Sequence, residues 1–168
     1  MFKARFTAGL SAALIVTAFV APPPSASAGE KGKFQGHAVL EVTKFTEYKT
    51  MEGHPMKSGM LGEMDGLIFH NGGGAALDRM LERAHYQVVF LNDGGGSGYC
   101  MKTFTTKDGN KLFGRCDAKA TPNGGNGTVT LLGGTGPFSG IKGKGKFNVV
   151  CVTDRVCWDD IEWEWETP

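Results

Sequence analysis

At 168 residues, with 18 Lys and Arg against 17 Asp and Glu, the chain has room for one domain of ordinary size and too little net charge for a dedicated nucleic-acid binder. Residues 1–28 hold Lys3 and Arg5 and no acid, so the remainder carries 16 basic against 17 acidic side chains. Apart from Lys142, Lys144 and Lys146, which alternate with glycine, the basic residues are dispersed, and no nucleic-acid partner is expected.

The chain opens with Lys3 and Arg5, an apolar run from Phe6 to Ala21, a proline triplet and the small residues Ala26, Ser27 and Ala28. This is the layout of a cleavable signal peptide over 1–28. The run falls short of the ~20 residues that cross a bilayer, and the prolines stop a helix at its end. No cysteine follows at the position where a lipoprotein is acylated. The expectation is therefore a secreted or periplasmic protein with no membrane anchor once cut after Ala28, residues 29–168 forming one domain.

In that domain, Phe34 to Thr50 predicts a long strand, with Phe34, Ala38, Leu40 and Val42 on one face and His37, Glu41, Thr43 and Glu47 on the other. Residues 51–66, rich in methionine, glycine and charge, predict a loop or an irregular strand before the apolar group Leu67-Ile68-Phe69. Leu77, Met80, Leu81 and Ala84 fall at helical spacing, so a short helical turn is expected near residues 75–84. Further strands are predicted over Tyr86–Leu91, Tyr99–Thr106, Lys111–Cys116, Gly127–Leu132, Lys144–Val152 and Asp160–Glu166. Turn residues recur every ten to fifteen positions, which points to an all-β antiparallel meander, a sandwich or a barrel.

An even cysteine count in an exported chain reads as two disulfides. The spacings of 16 (Cys100 to Cys116) and 6 (Cys151 to Cys157) lack the close pairs of zinc ribbons. Three pairings are open; Thr106-Lys107-Asp108-Gly109-Asn110 resembles a three-residue hairpin loop that sets residue 100 opposite residue 116, favouring Cys100 with Cys116 and Cys151 with Cys157. In the last predicted strand Ile161, Trp163 and Trp165 alternate with Glu162, Glu164 and Glu166, so one face is aromatic and the other acidic. Trp163 and Trp165 are the candidate wall of a cavity for a small apolar or aromatic ligand, with plain core packing as the alternative.

The run Gly133-Gly134-Thr135-Gly136-Pro137-Phe138-Ser139-Gly140-Ile141-Lys142-Gly143-Lys144-Gly145-Lys146-Phe147 lacks the Gly-Lys-Ser/Thr ending of a phosphate loop and leads into a strand. Its glycines permit a tight turn, and Phe138 and Ile141 are placed to plug a barrel end. It resembles the Gly-Gly-Thr-Gly-x-aromatic segment of dirigent proteins and of allene oxide cyclase-like barrels, including small secreted bacterial members of unassigned role; Gly98-Tyr99-Cys100 and Lys107-Asp108-Gly109-Asn110 also look like those members. The resemblance implies a single antiparallel barrel of about eight strands whose interior, in the plant relatives, binds an apolar substrate and steers its cyclisation or coupling. No catalytic residue of those relatives maps onto this chain, so a cyclase-type enzyme using the same cavity stands as a second function.

Between Met51 and Met64 lie four of the seven methionines, beside His54. Thioethers and an imidazole suit Cu(I), which makes His54, Met56, Met60 and Met64 candidate ligands of an exported copper site. A third function is accordingly a copper-binding or purely structural envelope protein, and no other cofactor is expected. His37, His70 and His85 lie on separate segments, and Ser58, Ser97 and Ser139 sit in no nucleophile elbow. Asp159-Asp160 and Glu63-Asp65 read as solvated charge. A cavity below about 100 Å³, against the roughly 300 Å³ of small ligand pockets, would exclude the binding reading.

Overall fold

A computed structural model of the chain describes residues 29–71 and 79–168; the expected signal peptide and residues 75–78 of the expected helical turn lie outside them. Eight strands follow one another: β1 (Lys31–Lys49), β2 (Met56–His70), β3 (Met80–Leu91), β4 (Gly96–Thr105), β5 (Lys111–Thr121), β6 (Gly124–Gly134), β7 (Lys142–Cys151) and β8 (Val156–Glu166). Each pairs antiparallel with the next, and β8 returns to β1, closing the sheet into a barrel. Closure leaves no strand edge exposed. Among the described residues the one helical segment is a 3-10 turn, Gly136–Phe138, and no helix is long and apolar enough to cross a membrane.

One stretch differs from the sequence expectation and a second is decided between its two alternatives, each for a physical reason. Met80–Ala84 belongs to β3, with Met80, Glu82 and Ala84 buried and Leu81 exposed. Met80 and Ala84 are four residues apart, a separation that satisfies the helical and the strand period alike. Residues 56–66 take the strand alternative, forming the first part of β2 with a register shift between Met56 and Ser58, and their alternation is hidden by glycine. The Tyr48 ring lies over Gly59, the Tyr86 ring over Gly62 and the Leu40 side chain against Gly66, where any Cβ would collide. A register shift between Val42 and Lys44 further breaks the pattern of the β1–β2 pair.

One end of the barrel is filled. Phe34 stacks on Trp163 with centroids 4.6 Å apart, and Phe104 lies against the same indole at 5.0 Å. Phe138 and Ile141, carried by the turn between β6 and β7, are buried with them, as their place in the glycine-rich run led one to expect. Gly136 and Gly140 take positive φ there, +56° and +73°. Trp163 faces Gly145 across the β7–β8 pair, and a side chain at that glycine would overlap the Glu162 carbonyl and the Trp163 Cβ. At this same end the Gly29 amide donates to the Pro168 carbonyl at 2.9 Å and the Thr167 amide to that of Glu30 at 2.8 Å.

Both favoured disulfides form. Cys100–Cys116 joins directly opposed residues of β4 and β5, and Cys151–Cys157 those of β7 and β8. The Thr106–Asn110 connection is the tight turn anticipated, with Gly109 at φ +80° and the Thr106 amide donating to the Asn110 carbonyl at 2.9 Å.

Candidate functional site

Towards the other end of the barrel the inward positions become small. Ala84, Gly98, Ala118, Ala120 and Gly125 replace the bulky side chains that fill the plugged half, and a cavity of about 490 Å³ opens between them. Its wall is largely apolar, with Leu40, Val42, Met60, Met64, Tyr86, Val88, Phe90, Phe147 and Val149 facing it. It reaches the turns Thr121–Gly124 and Val152–Asp154, whose Pro122, Asn123 and Val152 are exposed. The volume exceeds the roughly 300 Å³ of small ligand pockets and far exceeds the roughly 100 Å³ that would have excluded binding.

Lys102 stands between this cavity and the plug, because β4 alternation turns Cys100, Lys102 and Phe104 inward together. Its side chain is 4% exposed, and Nζ lies 2.6 Å from Glu82 Oε1 and 2.7 Å from Asp159 Oδ2, two side chains with no exposure at all. The Phe147 ring centroid is 5.3 Å from the same nitrogen, within reach of a cation–π contact. Glu82 comes from the neighbouring strand β3, whereas Asp159 reaches in from β8. Nζ donates a hydrogen bond to Asp159, while Glu82 sits at ion-pair distance. Glu82 Oε2 and Asp159 Oδ1 have no hydrogen-bond partner.

Burial pushes the Glu82 and Asp159 carboxyls above the usual carboxylate range, although the Lys102 charge draws both back in part. Burial would lower the Lys102 pKa, but the charges of Glu82 and Asp159 outweigh it and hold the ammonium charged beyond its ordinary range. Two carboxyls share one cation in a dry interior, so the arrangement of least charge is an ammonium, one carboxylate and one carboxylic acid. The floor can hold or release a proton, and the Lys102 ammonium can donate a hydrogen bond.

The structure places neither candidate indole on this cavity. Trp163 is 2% exposed inside the plug, and Trp165, further along β8, borders a separate groove with Lys31, Gly32, Lys142 and Gly143. β8 begins at the open end, so its inward positions reach Cys157 and Asp159 before the indoles, which fall in the filled half. The four candidate copper ligands are likewise spread out. Met56, Met60 and Met64 sit along β2, where a rise of ~3.3 Å per residue puts successive methionines ~13 Å apart, too far for one coordination sphere. Met60 and Met64 line the cavity, whereas the His54 ring accepts the Met56 amide through Nδ1 at 3.1 Å in the preceding turn. Of the four cysteines, Cys100 and Cys151 face the cavity as disulfides.

Asp159 is not solvated charge, which corrects the sequence expectation: it is in phase with buried Cys157 and Ile161, while its neighbour Asp160 points outward. Glu82 between Met80 and Ala84, and Lys102 between Cys100 and Phe104, carry the same mark of an ionisable residue at an inward position. Reading those phases would have found all three. Glu63 and Asp65 do behave as partly solvated charge, paired with Lys44 and Arg83, and the Arg83 hydrogen bond lowers the Asp65 carboxyl.

No protein-family model matches the chain, and no curated protein does. Among solved structures it is similar to a pterocarpan synthase dirigent protein, at 14% identity and a TM-score of 0.48 over 83% of this chain and 93% of that one. It is also similar to a protein of unknown function from the DUF3224 family of Shewanella oneidensis, at 11% identity and a TM-score of 0.46 over 83% of this chain and 99% of that one.

Proposed function

We propose that the domain is an exported binding protein that holds a small apolar or aromatic molecule in the open half of its barrel. The observation that carries this reading is the 490 Å³ cavity with its aliphatic, aromatic and thioether wall. Export is supported by the signal-like sequence of residues 1–28 and by two disulfides, which persist in oxidising compartments. The test is titration with a neutral, polarity-sensitive naphthalene dye. Its emission shifts to the blue on binding, and Ala118→Phe, which fills the cavity, abolishes the shift while the unfolding midpoint stays close to that of the wild type. A dye response unchanged by Ala118→Phe refutes the assignment.

A cyclase-type activity in the same cavity is favoured by one observation, the proton-holding Lys102, Glu82 and Asp159 at its floor. An apolar pocket with a buried ammonium at its base suits rearrangement of an oxygenated hydrocarbon, with a hydrogen bond from Lys102 Nζ to the oxygen as the polarising contact supplied by the protein. The assay is product analysis of the bound molecule after incubation, and the combined variant Lys102→Met, Glu82→Gln and Asp159→Asn, which removes the cavity-facing donor and its partners together, is expected to stop conversion.

A further inference from the structure

Lys102 sets the chemistry of what the cavity accepts, an inference that rests on the binding reading above. The ammonium is closed on two sides by oxygen, with Glu82 at 2.6 Å and Asp159 at 2.7 Å. An ammonium has three N–H groups: Asp159 accepts one, Glu82 faces a second at ion-pair distance, and no further oxygen among the described residues is paired with it. Lys102 itself lines the cavity, whereas neither Glu82 nor Asp159 does. A molecule that passes the polar turns at the mouth, Thr121–Gly124 and Val152–Asp154, therefore meets at the floor one charged donor set in a largely apolar wall.

Charge narrows the choice further. With both carboxyls ionised the three groups sum to one negative charge, and with one protonated they sum to zero, so the floor offers an anion no net attraction. A cation would have to approach the ammonium directly and is repelled by it. Either ion would also lose its water to a wall of Leu40, Val42, Phe90 and Val149, and the one carboxylate on the lining, Asp154, belongs to the exposed turn at the mouth rather than to the floor. A neutral molecule with an acceptor oxygen incurs neither penalty.

We propose that the cavity is a site for a neutral, mostly apolar molecule bearing one hydrogen-bond-accepting oxygen, a carbonyl or an ether, which docks on the third N–H of Lys102. The apolar body fills the space beneath the 121–124 and 152–154 turns. Lys102 acts as a binding residue, and Glu82 and Asp159 are positioning residues that fix the ammonium and cancel its charge.

The experiment uses the disulfide-bonded protein and four naphthalenes of similar shape: 2-acetylnaphthalene, 2-isopropenylnaphthalene, 2-naphthoate and 1-(2-naphthyl)ethylammonium. Naphthalene emission reports binding. The ketone is expected to bind roughly tenfold to hundredfold more tightly than the hydrocarbon, the usual worth of a hydrogen bond from a charged donor, and both ions more weakly than the ketone. The carbonyl stretch of the bound ketone should move to lower frequency than in alkane. The variant combining Lys102→Met, Glu82→Gln and Asp159→Asn should lose the ketone's advantage and the frequency shift while still binding the hydrocarbon. If that variant fails to fold, the wild-type affinity ratio and carbonyl frequency decide alone. Equal affinity for ketone and hydrocarbon, or tightest binding of the naphthoate, overturns the role of Lys102 and leaves the cavity assignment standing. Failure of all four to bind removes that assignment and this inference together.

Discussion

Replacing Lys102 by methionine keeps most of the side-chain volume and deletes the one cation that faces Glu82 and Asp159. Both carboxyls are fully buried, so the folded variant must either hold an uncompensated charge or take up protons until both are neutral. Breaking a buried ion pair in this way costs about 3–5 kcal/mol. The pH dependence follows from the sign of the shifts. A carboxyl whose folded pKa is raised binds its proton more tightly in the native state than in the unfolded chain. Its contribution is complete below the ordinary carboxylate range and is lost as pH rises through the folded value, at about 1.4 kcal/mol per pH unit for each proton taken up on folding. Without the ammonium that loss involves both carboxyls and is steeper. Urea unfolding followed by tryptophan fluorescence at pH 7 and pH 4.5 measures it: Lys102→Met should lose about 3–5 kcal/mol at pH 7 and clearly less at pH 4.5. The triple variant with Glu82→Leu, Lys102→Met and Asp159→Leu should match or exceed the wild type at pH 7, since apolar groups of similar volume need no pairing. A single-variant loss under about 1 kcal/mol at pH 7, or an equal loss at both pH values, would refute the reasoning.

Three other perturbations test the frame around the cavity. Loop-closure entropy gives about 3 kcal/mol for the Cys100–Cys116 bridge, which spans 16 residues, and about 2 kcal/mol for Cys151–Cys157, which spans 6, so the paired Cys→Ser variants should rank in that order by chemical denaturation. Gly145→Ala should destabilise by about 3 kcal/mol, because its Cβ meets the Glu162 carbonyl and the Trp163 side chain, whereas Gly94→Ala, with open space around it but φ at +87°, should lose only about 1 kcal/mol. Trp163→Ala should cost about 3–5 kcal/mol yet leave the naphthalene dye response intact below the unfolding transition, since the indole belongs to the plug; a lost response in folded protein would place the site at the wrong end.

The fold was largely written in alternation. Ile161-Glu162-Trp163-Glu164-Trp165 announces a strand with one wet face, and the Thr106–Asn110 turn brings Cys100 opposite Cys116 by its length alone. What hid β2 was the absence of side chains at Gly59, Gly62 and Gly66, where the sheet needs room for the Tyr48 and Tyr86 rings and the Leu40 side chain. The site was harder to read for a different reason. Hydrophobic pattern marks what is filled, and the cavity exists where Ala84, Gly98 and Ala118 leave the inward face bare. Trp163 and Trp165 drew attention because they are large, but bulk is what closes a barrel. Glu82, Lys102 and Asp159 break the apolar phase of three separate strands; Glu82 and Lys102 meet across the β3–β4 pair, and only the closure of the barrel brings Asp159 of β8 to 2.7 Å from Lys102.

The hydrogen bond between the Gly29 amide and the Pro168 carbonyl ties the first and last described residues together at the plugged end. Anything fused there, such as an affinity tag, a fluorescent label or a tether to a bead, leaves on the side away from the Thr121–Gly124 and Val152–Asp154 turns. A domain immobilised through Gly29 or Pro168 thus presents its mouth to the surrounding liquid, and a permuted domain with new ends cut at Asp93–Gly94 and a short linker joining Pro168 to Gly29 would bring a reporter to the rim instead.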